Sequence, residues 1–187
     1  GDGSTNDGLM LNTIFATTPY INYSAITNPG TTITSGYSAA NVFDIAVSGG
    51  VITIYNSNLG YASWGRTGNI GNTATFYNGA VANTEQWTPI VASGLWTLAN
   101  VNTPARLLQW NNSSPRFACY TSAQVKLKLY KRTYTVTYNG NSSTGGTAPI
   151  DASSPYFSGN TVTVLGNTGS LVNPGYTFAG WNTAADG

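Results

Sequence analysis

Short runs in which apolar and polar residues alternate recur along most of this chain, and they predict β-strands. The clearest runs span 42–47, 51–55, 86–92, 95–100, 105–110, 116–120, 124–131, 134–138, 161–165 and 176–181. Turn-forming residues separate them, such as the Ser-Gly-Gly of 48–50 and the Asn-Gly of 78–79. Since no apolar period of 3.6 residues persists for ten residues, the pattern predicts an all-β protein whose N-terminal module is a β-sandwich or barrel.

The run 124–131 alternates strictly and predicts which residues are buried. Val125, Leu127 and Leu129 share one face, whereas Lys126 and Lys128 share the other. We expect the apolar face to be buried and the lysines to be exposed, because lysines on an outer strand discourage pairing between sheets. The same alternation places four further residues in the core: Phe117, Cys119, Trp87 and Trp96.

The alternation restarts after Lys131–Thr133 and divides the chain. We predict a flexible segment at 1–8, a β module at 9–132 and a smaller β module at 133–187. Residues 9–40 are strand-prone with little periodicity, and their candidate core residues are Leu9, Leu11, Ile14, Phe15, Tyr20, Ile21, Tyr23 and Ile26. The segment 9–26 either pairs within its own module or donates a strand to a neighbouring copy of the chain.

The composition narrows the class of protein. Charged residues make up 7% of the chain, against ~25% in an average soluble domain. Hydroxyl and amide groups must therefore keep the surface wet, which suits an extracellular module because salt screens such groups little. The single cysteine, Cys119, allows no internal disulfide, and we expect it to be a buried apolar residue.

Few residues could carry chemistry. The chain has no histidine, which removes serine–histidine triads and histidine metal sites. Asp44 and Glu85 are the only carboxylates that lie inside the first module away from the chain ends, and we expect Asp44 to be exposed and Glu85 to lie at a loop rim. We therefore expect no enzymatic activity, no cofactor and no metal site.

Two tryptophans raise an alternative, a carbohydrate-binding module. An exposed aromatic ring can stack on a sugar while neighbouring amides bind its hydroxyl groups. Trp64 and the run Gln109, Trp110, Asn111 fit that description. The competing interpretation is that these rings are part of the core.

Three stretches near the C-terminus carry a resemblance to a known family. They are YTVTYNGN at 134–141, SGNTVTVL at 158–165 and GYTFAGWNT at 175–183. They resemble the internalin-type B repeat, a small β-grasp-like module of bacterial surface proteins, and the resemblance implies that the repeat is incomplete here and that Tyr176, Phe178 and Trp181 are core or cross-strand aromatics. Residues 42–132 more faintly resemble a β module of large secreted bacterial proteins.

Together these observations predict a non-catalytic module of a secreted bacterial cell-surface protein. We expect it to act as an adhesin or as a component of an extracellular filament or stalk. The alternatives are a carbohydrate-binding module and an accessory domain of a large secreted hydrolase. The expected partners are other copies of the chain or surface glycans and proteins. We expect neither nucleic-acid binding, because the basic run 126–132 fits a solvated strand face, nor membrane insertion, because no run of 18 apolar residues exists.

Overall fold

The computed structural model describes residues 9–14, 20–25, 33, 37–66 and 71–184. The segment 1–8 and two core candidates, Phe15 and Ile26, lie outside the described residues, as do the side chains of Leu9 and Ile14. The chain forms two compact units, Gly1–Tyr130 and Lys131–Gly187. Each unit is described separately below.

The first unit is built on one ten-stranded antiparallel sheet. Its strands are β1 (Leu9–Ile14), β2 (Ile21–Ala25), β3 (Asp44–Ser48), β4 (Val51–Asn56), β5 (Gly60–Ser63), β6 (Thr75–Tyr77), β7 (Gln86–Ala92), β8 (Leu95–Asn100), β9 (Leu107–Asn111) and β10 (Arg116–Tyr120). Their order in the curled sheet is β1-β2-β10-β9-β8-β7-β4-β5-β6, and β3 pairs with β4 off this path. Among the described residues the only helical elements are two single 3₁₀ turns, at 39–41 and 83–85, so the all-β prediction is confirmed.

Two tight hairpins follow directly from their turn residues. Gly49 and Gly50 join β3 to β4, and Ser93 and Gly94 join β7 to β8. All four residues have positive φ. Two successive residues of this kind form a type I′ turn, whose twist matches that of the strands it connects.

The two hairpins belong to a duplicated four-strand motif. Residues 38–58 align without a gap with 82–102, and five aligned pairs are identical: Val47/Val91, Gly50/Gly94, Thr53/Thr97, Asn56/Asn100 and Asn58/Asn102. We call 38–77, which contains β3 to β6, the first motif, and 82–120, which contains β7 to β10, the second motif. Each motif starts with a 3₁₀ turn and continues through two antiparallel hairpins.

A buried asparagine holds each motif together. The exposed fractions of Asn56 and Asn100 are 1% and 0%. The Nδ2 of Asn56 donates to the Ala39 carbonyl at 3.0 Å, and that of Asn100 donates to the Thr84 carbonyl at 3.0 Å. Each Oδ1 accepts from the backbone N–H two residues later. The side chain therefore fastens the second strand of each motif to the 3₁₀ turn that begins it.

The predicted core is largely confirmed. Trp87, Phe117 and Cys119 are buried, with exposed fractions of 0%, 6% and 0%. Trp96, Val125 and Leu127 are half-buried and pack against the same cluster, and Lys126 and Lys128 are exposed. The prediction is wrong for Leu129, which is 37% exposed.

The segment 124–131 is not a continuous strand, and its neighbours explain why. β8 and β9 pair directly only at Leu98↔Leu108 and the adjacent residue pair. Beyond that point the segment forms one isolated bridge with each of them, Leu127 with Trp96 and Val125 with Trp110, and each bridge has two backbone hydrogen bonds. No described strand pairs with it further along, so Leu129 lies past the part of the sheet that could bury it.

The N-terminal hairpin completes its own sheet. β1 pairs with β2, and β2 pairs with β10 where Ile21 faces Phe117. Ile21 is fully buried. The described part of 9–26 therefore pairs within its own module, as the first of the two interpretations predicts. An irregularity in the β1–β2 register between Leu11 and Ile14 accounts for the poor periodicity of this region.

The second unit has little regular structure. Its strands are β11 (Thr133–Tyr134) and β12 (Tyr156–Phe157), and isolated bridges join Gly145 to Val172 and Asn173 to Tyr176. The strands predicted at 161–165 and 176–181 are absent. Side chains satisfy the backbone instead: Trp181 donates to the Leu165 carbonyl at 2.7 Å, and the Leu165 N–H donates to the Tyr138 hydroxyl at 2.9 Å.

The aromatic block at 175–183 behaves partly as the resemblance implies. Trp181 is half-buried, and its ring lies 4.9 Å from Tyr138 and 5.1 Å from Phe178. Tyr176, in contrast, is 80% exposed and is not a core residue. Its N–H donates to the Asn173 carbonyl and closes the turn that begins there.

The comparison of the two hairpins generates a stability prediction at Ser93. This residue has a φ of 52°, and glycine occupies the equivalent position 49. Because asparagine tolerates positive φ and Asn-Gly is a favoured type I′ pair, Ser93→Asn should stabilise the first unit by ~0.5–1 kcal/mol. Urea unfolding would measure this, with Ser57→Asn in an exposed turn as the control. An unchanged or lower midpoint for Ser93→Asn would contradict the turn assignment.

Candidate functional site

The structure places the predicted ligand residues of β9 inside the protein. Trp110 and Gln109 are each 3% exposed. The Trp110 ring meets the edge of Tyr23 at 5.0 Å and packs against Phe117 at 5.0 Å. The prediction of an exposed, sugar-stacking ring is wrong here, because the neighbouring strands β2 and β10 supply side chains that cover it.

The amides beside Trp110 are occupied by the protein itself. Gln109 Oε1 accepts from the Gln124 N–H at 3.0 Å and so fixes the start of the 124–131 segment. Asn111 Nδ2 donates to the Tyr120 hydroxyl at 2.9 Å, and its Oδ1 accepts from the Ser114 N–H at 3.0 Å. Both residues therefore organise the β9–β10 region rather than face a ligand.

Trp64 agrees better than Trp110 with the prediction of an exposed ring, but one face of its ring is covered. The residue is half-buried, packs against the core and donates through Nε1 to the Gly71 carbonyl at 3.1 Å. The Arg106 guanidinium lies 5.2 Å from the centre of its ring. A hydrogen bond of 2.9 Å to Asn72 Oδ1 holds that guanidinium in place. A sugar could therefore stack on Trp64 only from the other side.

An open groove lies at the start of the 124–131 segment. It has a volume of about 450 Å³ and is lined by Leu95, Asn112, Ser113, Gln124, Val125 and Lys126. Its lining provides amide, hydroxyl and ammonium groups over two apolar side chains. No described aromatic residue lines it, so its described lining offers hydrogen bonds to a polar ligand without a stacking surface.

Glu85 is the polar centre that the sequence interpretation missed. It was expected at a loop rim, but its exposed fraction is 0%. Arg66 binds it through two hydrogen bonds, Nε to Oε1 at 2.9 Å and Nη2 to Oε2 at 2.7 Å. The hydroxyls of Ser63 and Thr84 each donate to Oε1 at 2.7 Å, and the Ala82 N–H donates to Oε2 at 3.0 Å.

Arg66 is held as firmly as its partner. Its Nη2 also donates to the Ala80 carbonyl at 2.9 Å, and its guanidinium stacks 3.7 Å from the centre of the Tyr77 ring. Two nitrogen donors on one carboxylate form a geometry that only arginine supplies. The ion pair is therefore part of the structure and leaves the carboxylate no free lone pair directed at a substrate.

The electrostatics of Glu85 follow from this arrangement. Burial by itself would raise its pKa, but the hydrogen bonds from Arg66, Ser63, Thr84 and Ala82 outweigh burial and lower the pKa to about 2. A carboxyl group that stays ionised to such low pH is a poor general acid or base near neutral pH. Asp44 lies on β3, where it is exposed, so the two carboxylates share no common site.

The alignment of the two motifs contains the signal that could have located Glu85. Its equivalent in the first motif is Asn41, which is also buried and whose Oδ1 also accepts from the backbone N–H three residues earlier. Both side chains then reach to the preceding hairpin, Asn41 to the Leu11 carbonyl and Glu85 to Ser63. An internal comparison of the sequence would have marked this position as structural.

Other chemistry is scarce in the described part of the chain. Cys119 is buried, as predicted, and burial raises the pKa of its thiol far above the usual range. No cluster of three or more metal-binding side chains occurs among the described residues. Nor does any helix in that part of the chain have the length and apolar character needed to cross a membrane.

Comparison with known proteins gives one family and seven solved chains, of which two are named below. Residues 134–187 match the family model of the Listeria-Bacteroides repeat domain, a match that supports a bacterial surface repeat in this part of the chain. None of the curated proteins matches the chain significantly. The designed 3-fold symmetric protein ThreeFoil has a TM-score of 0.47 at 12% identity, over 66% of this chain and 93% of its own. A mosquitocidal holotoxin has a TM-score of 0.45 at 15% identity, over 77% of this chain and 21% of its own.

Trp110 and Trp87 provide a matched pair for a stability prediction. Trp87 Nε1 donates to the Ala62 carbonyl at 3.0 Å, whereas the buried Nε1 of Trp110 has no partner among the described residues. Trp87→Phe removes a buried hydrogen bond, and Trp110→Phe removes an unpaired donor. We therefore expect Trp87→Phe to lower the free energy of unfolding by ~1–3 kcal/mol more than Trp110→Phe. Equal losses in urea unfolding would show that Trp110 has a partner.

Glu85 should make the first unit sensitive to acid. Its pKa is lowered from 4.5 to about 2, so its contribution is complete above pH 4.5 and is lost as the pH falls towards 2. The loss should be on the order of 1–3 kcal/mol. Glu85→Gln should be less stable than the parent at pH 7, because Arg66 loses its charged partner, and should lose less stability on acidification. Parallel stability–pH profiles for the two proteins would contradict this account.

Proposed function

We propose that the chain is a non-catalytic module of a secreted bacterial cell-surface protein, and that it serves as a stalk or filament component. The observation that carries the proposal is the match of 134–187 to a bacterial surface repeat, directly after a compact β unit. Repeats of this kind extend a chain by adding similar modules in series. The narrower assignment of 134–187 to the internalin-type B repeat is part of the same proposal.

The way the chain places its positive charges supports a role outside the cell. Six of its seven basic side chains lie 3.7–5.2 Å from the centre of an aromatic ring: Arg66, Arg106, Arg116, Lys128, Lys131 and Arg132. Their partners are rings rather than exposed carboxylates, whose ion pairs salt screens readily. This arrangement suits a module that must remain folded at varying ionic strength.

The state of the reactive groups supports a non-catalytic role. Ser63, Thr84 and Arg66 take up the buried carboxylate of Glu85, and the Cys119 thiol is buried with a raised pKa. An activated nucleophile needs an accessible position beside a base. Neither group fulfils that condition, which favours a structural or binding role.

An exchange experiment in the source bacterium distinguishes a stalk from an adhesin. The segment 1–187 would be replaced by an unrelated β domain of similar size. Surface display would be measured with antibody labelling of intact cells, and attachment to host cells would be measured separately. A stalk predicts that the replacement preserves both properties, whereas an adhesin predicts normal display with lost attachment. Failure to label the parent protein on intact cells would contradict the surface role altogether.

The carbohydrate-binding alternative has its own test. A glycan array with the purified chain would show whether it binds sugars, and Lys126→Ala and Ser113→Ala would show whether the groove is responsible. Trp64→Ala would test the remaining predicted ring. Specific binding that these substitutions remove would replace the stalk proposal with a carbohydrate-binding function.

A further inference from the structure

In the described part of the chain, one edge of strand β3 has no partner strand. The strand pairs with β4 along Asp44–Ser48, and no other described strand bonds to its second edge. All five of its residues are exposed. A free edge presents a row of backbone donors and acceptors that another strand can join.

β3 also extends the apolar face of the core. Ile45 lies opposite Ile54, and Val47 lies opposite Ile52. Directly opposed residues of an antiparallel pair point to the same face. Ile52 and Ile54 are core residues, with exposed fractions of 3% and 6%, whereas Ile45 and Val47 are 42% and 74% exposed. The core face therefore continues beyond the area that the chain itself covers.

Two other strand segments contain residues that prevent another strand from pairing with them, and β3 contains no such residue. β7 pairs with β4 only as far as Trp87, and its exposed end contains Pro89, which cannot donate to a ladder. The segment 124–131 carries the exposed Lys126 and Lys128. Proline and lysine are the usual devices that prevent pairing at sheet edges. β3 contains neither, and its only charge is at its first residue.

The residue pattern of β3 indicates which strand pairs with its free edge. Around Ala46 the strand has the same order in both directions: polar, apolar, small, apolar, polar. Antiparallel pairing with a second copy, centred on Ala46, would set Ile45 against Val47 and Asp44 against Ser48. The two carboxylates would then lie at opposite ends of the ladder. A shift by one residue would instead bring polar side chains to the apolar face.

We propose that two copies of this chain associate through antiparallel β3–β3 pairing about a two-fold axis at Ala46. The sheets of the two first units become one continuous sheet, and the two Ile45–Val47 surfaces lie side by side. The interface is isologous, so it closes with two copies and forms no open fibre. This inference concerns the purified chain and is independent of the proposed surface role.

Cysteine cross-linking tests both the association and its register. Ala46→Cys places two thiols directly opposite each other, with Cα atoms ~4.5–5.5 Å apart, which is within disulfide range. Ser48→Cys is the matched control, because its two copies would be separated by about 13 Å along the strands. We expect oxidation to give a disulfide-linked dimer of Ala46→Cys only. The native Cys119 should not interfere because it is buried.

Mass measurement provides the independent readout. In multi-angle light scattering the parent chain should move from its monomer mass of 19.6 kDa towards twice that value as its concentration rises. Val47→Lys should remain monomeric, and Val91→Lys, at the equivalent position of the second motif, should behave like the parent. A parent chain that stays monomeric at every concentration, or equal cross-linking of Ala46→Cys and Ser48→Cys, would overturn the proposal.

Discussion

The first unit depends most on the buried ion pair between Glu85 and Arg66. A carboxylate removed from water costs several kcal/mol unless charge and hydrogen bonds compensate for the lost hydration. Here three side chains and one backbone N–H compensate together. Ser63 and Arg66 belong to the first motif and Glu85 belongs to the second. The interaction that satisfies this charge is therefore also the one that joins the two halves of the sheet.

The first motif solves the same problem without a charge. Asn41 occupies the position equivalent to Glu85, and its Nδ2 donates to the Leu11 carbonyl at 2.9 Å and to Ser24 Oγ at 2.8 Å. Each motif thus begins with a polar side chain that ties its 3₁₀ turn to the hairpin before it. A neutral amide suffices where its partners are neutral, whereas Arg66 beside the second turn requires a carboxylate. The two motifs therefore share the position of this side chain and differ in its chemistry.

Alternation predicted the hairpin strands of the first unit well, because each strand has one buried face and a turn with special backbone geometry. It could not show that Trp110 is covered, since period-two patterns separate two faces without saying how many layers cover each one. It misplaced Glu85 because burial of a charge depends on a partner distant in sequence. In the second unit, hydrogen bonds between the backbone of Leu165 and the side chains of Tyr138 and Trp181 replace a strand. The β-propensity of the residues does not predict such contacts.

The contacts between the motifs also determine what a cut in the connection between them would do. The motifs are connected through exposed residues at 78–81, and they are also joined sideways by the Glu85–Arg66 pair and by the bond from Trp87 to the Ala62 carbonyl. Those contacts are non-covalent, and the bond between Asn78 and Gly79 contributes nothing to them. A peptide bond cut at this point would therefore leave two fragments that still hold each other, so a nicked protein could keep its native shape.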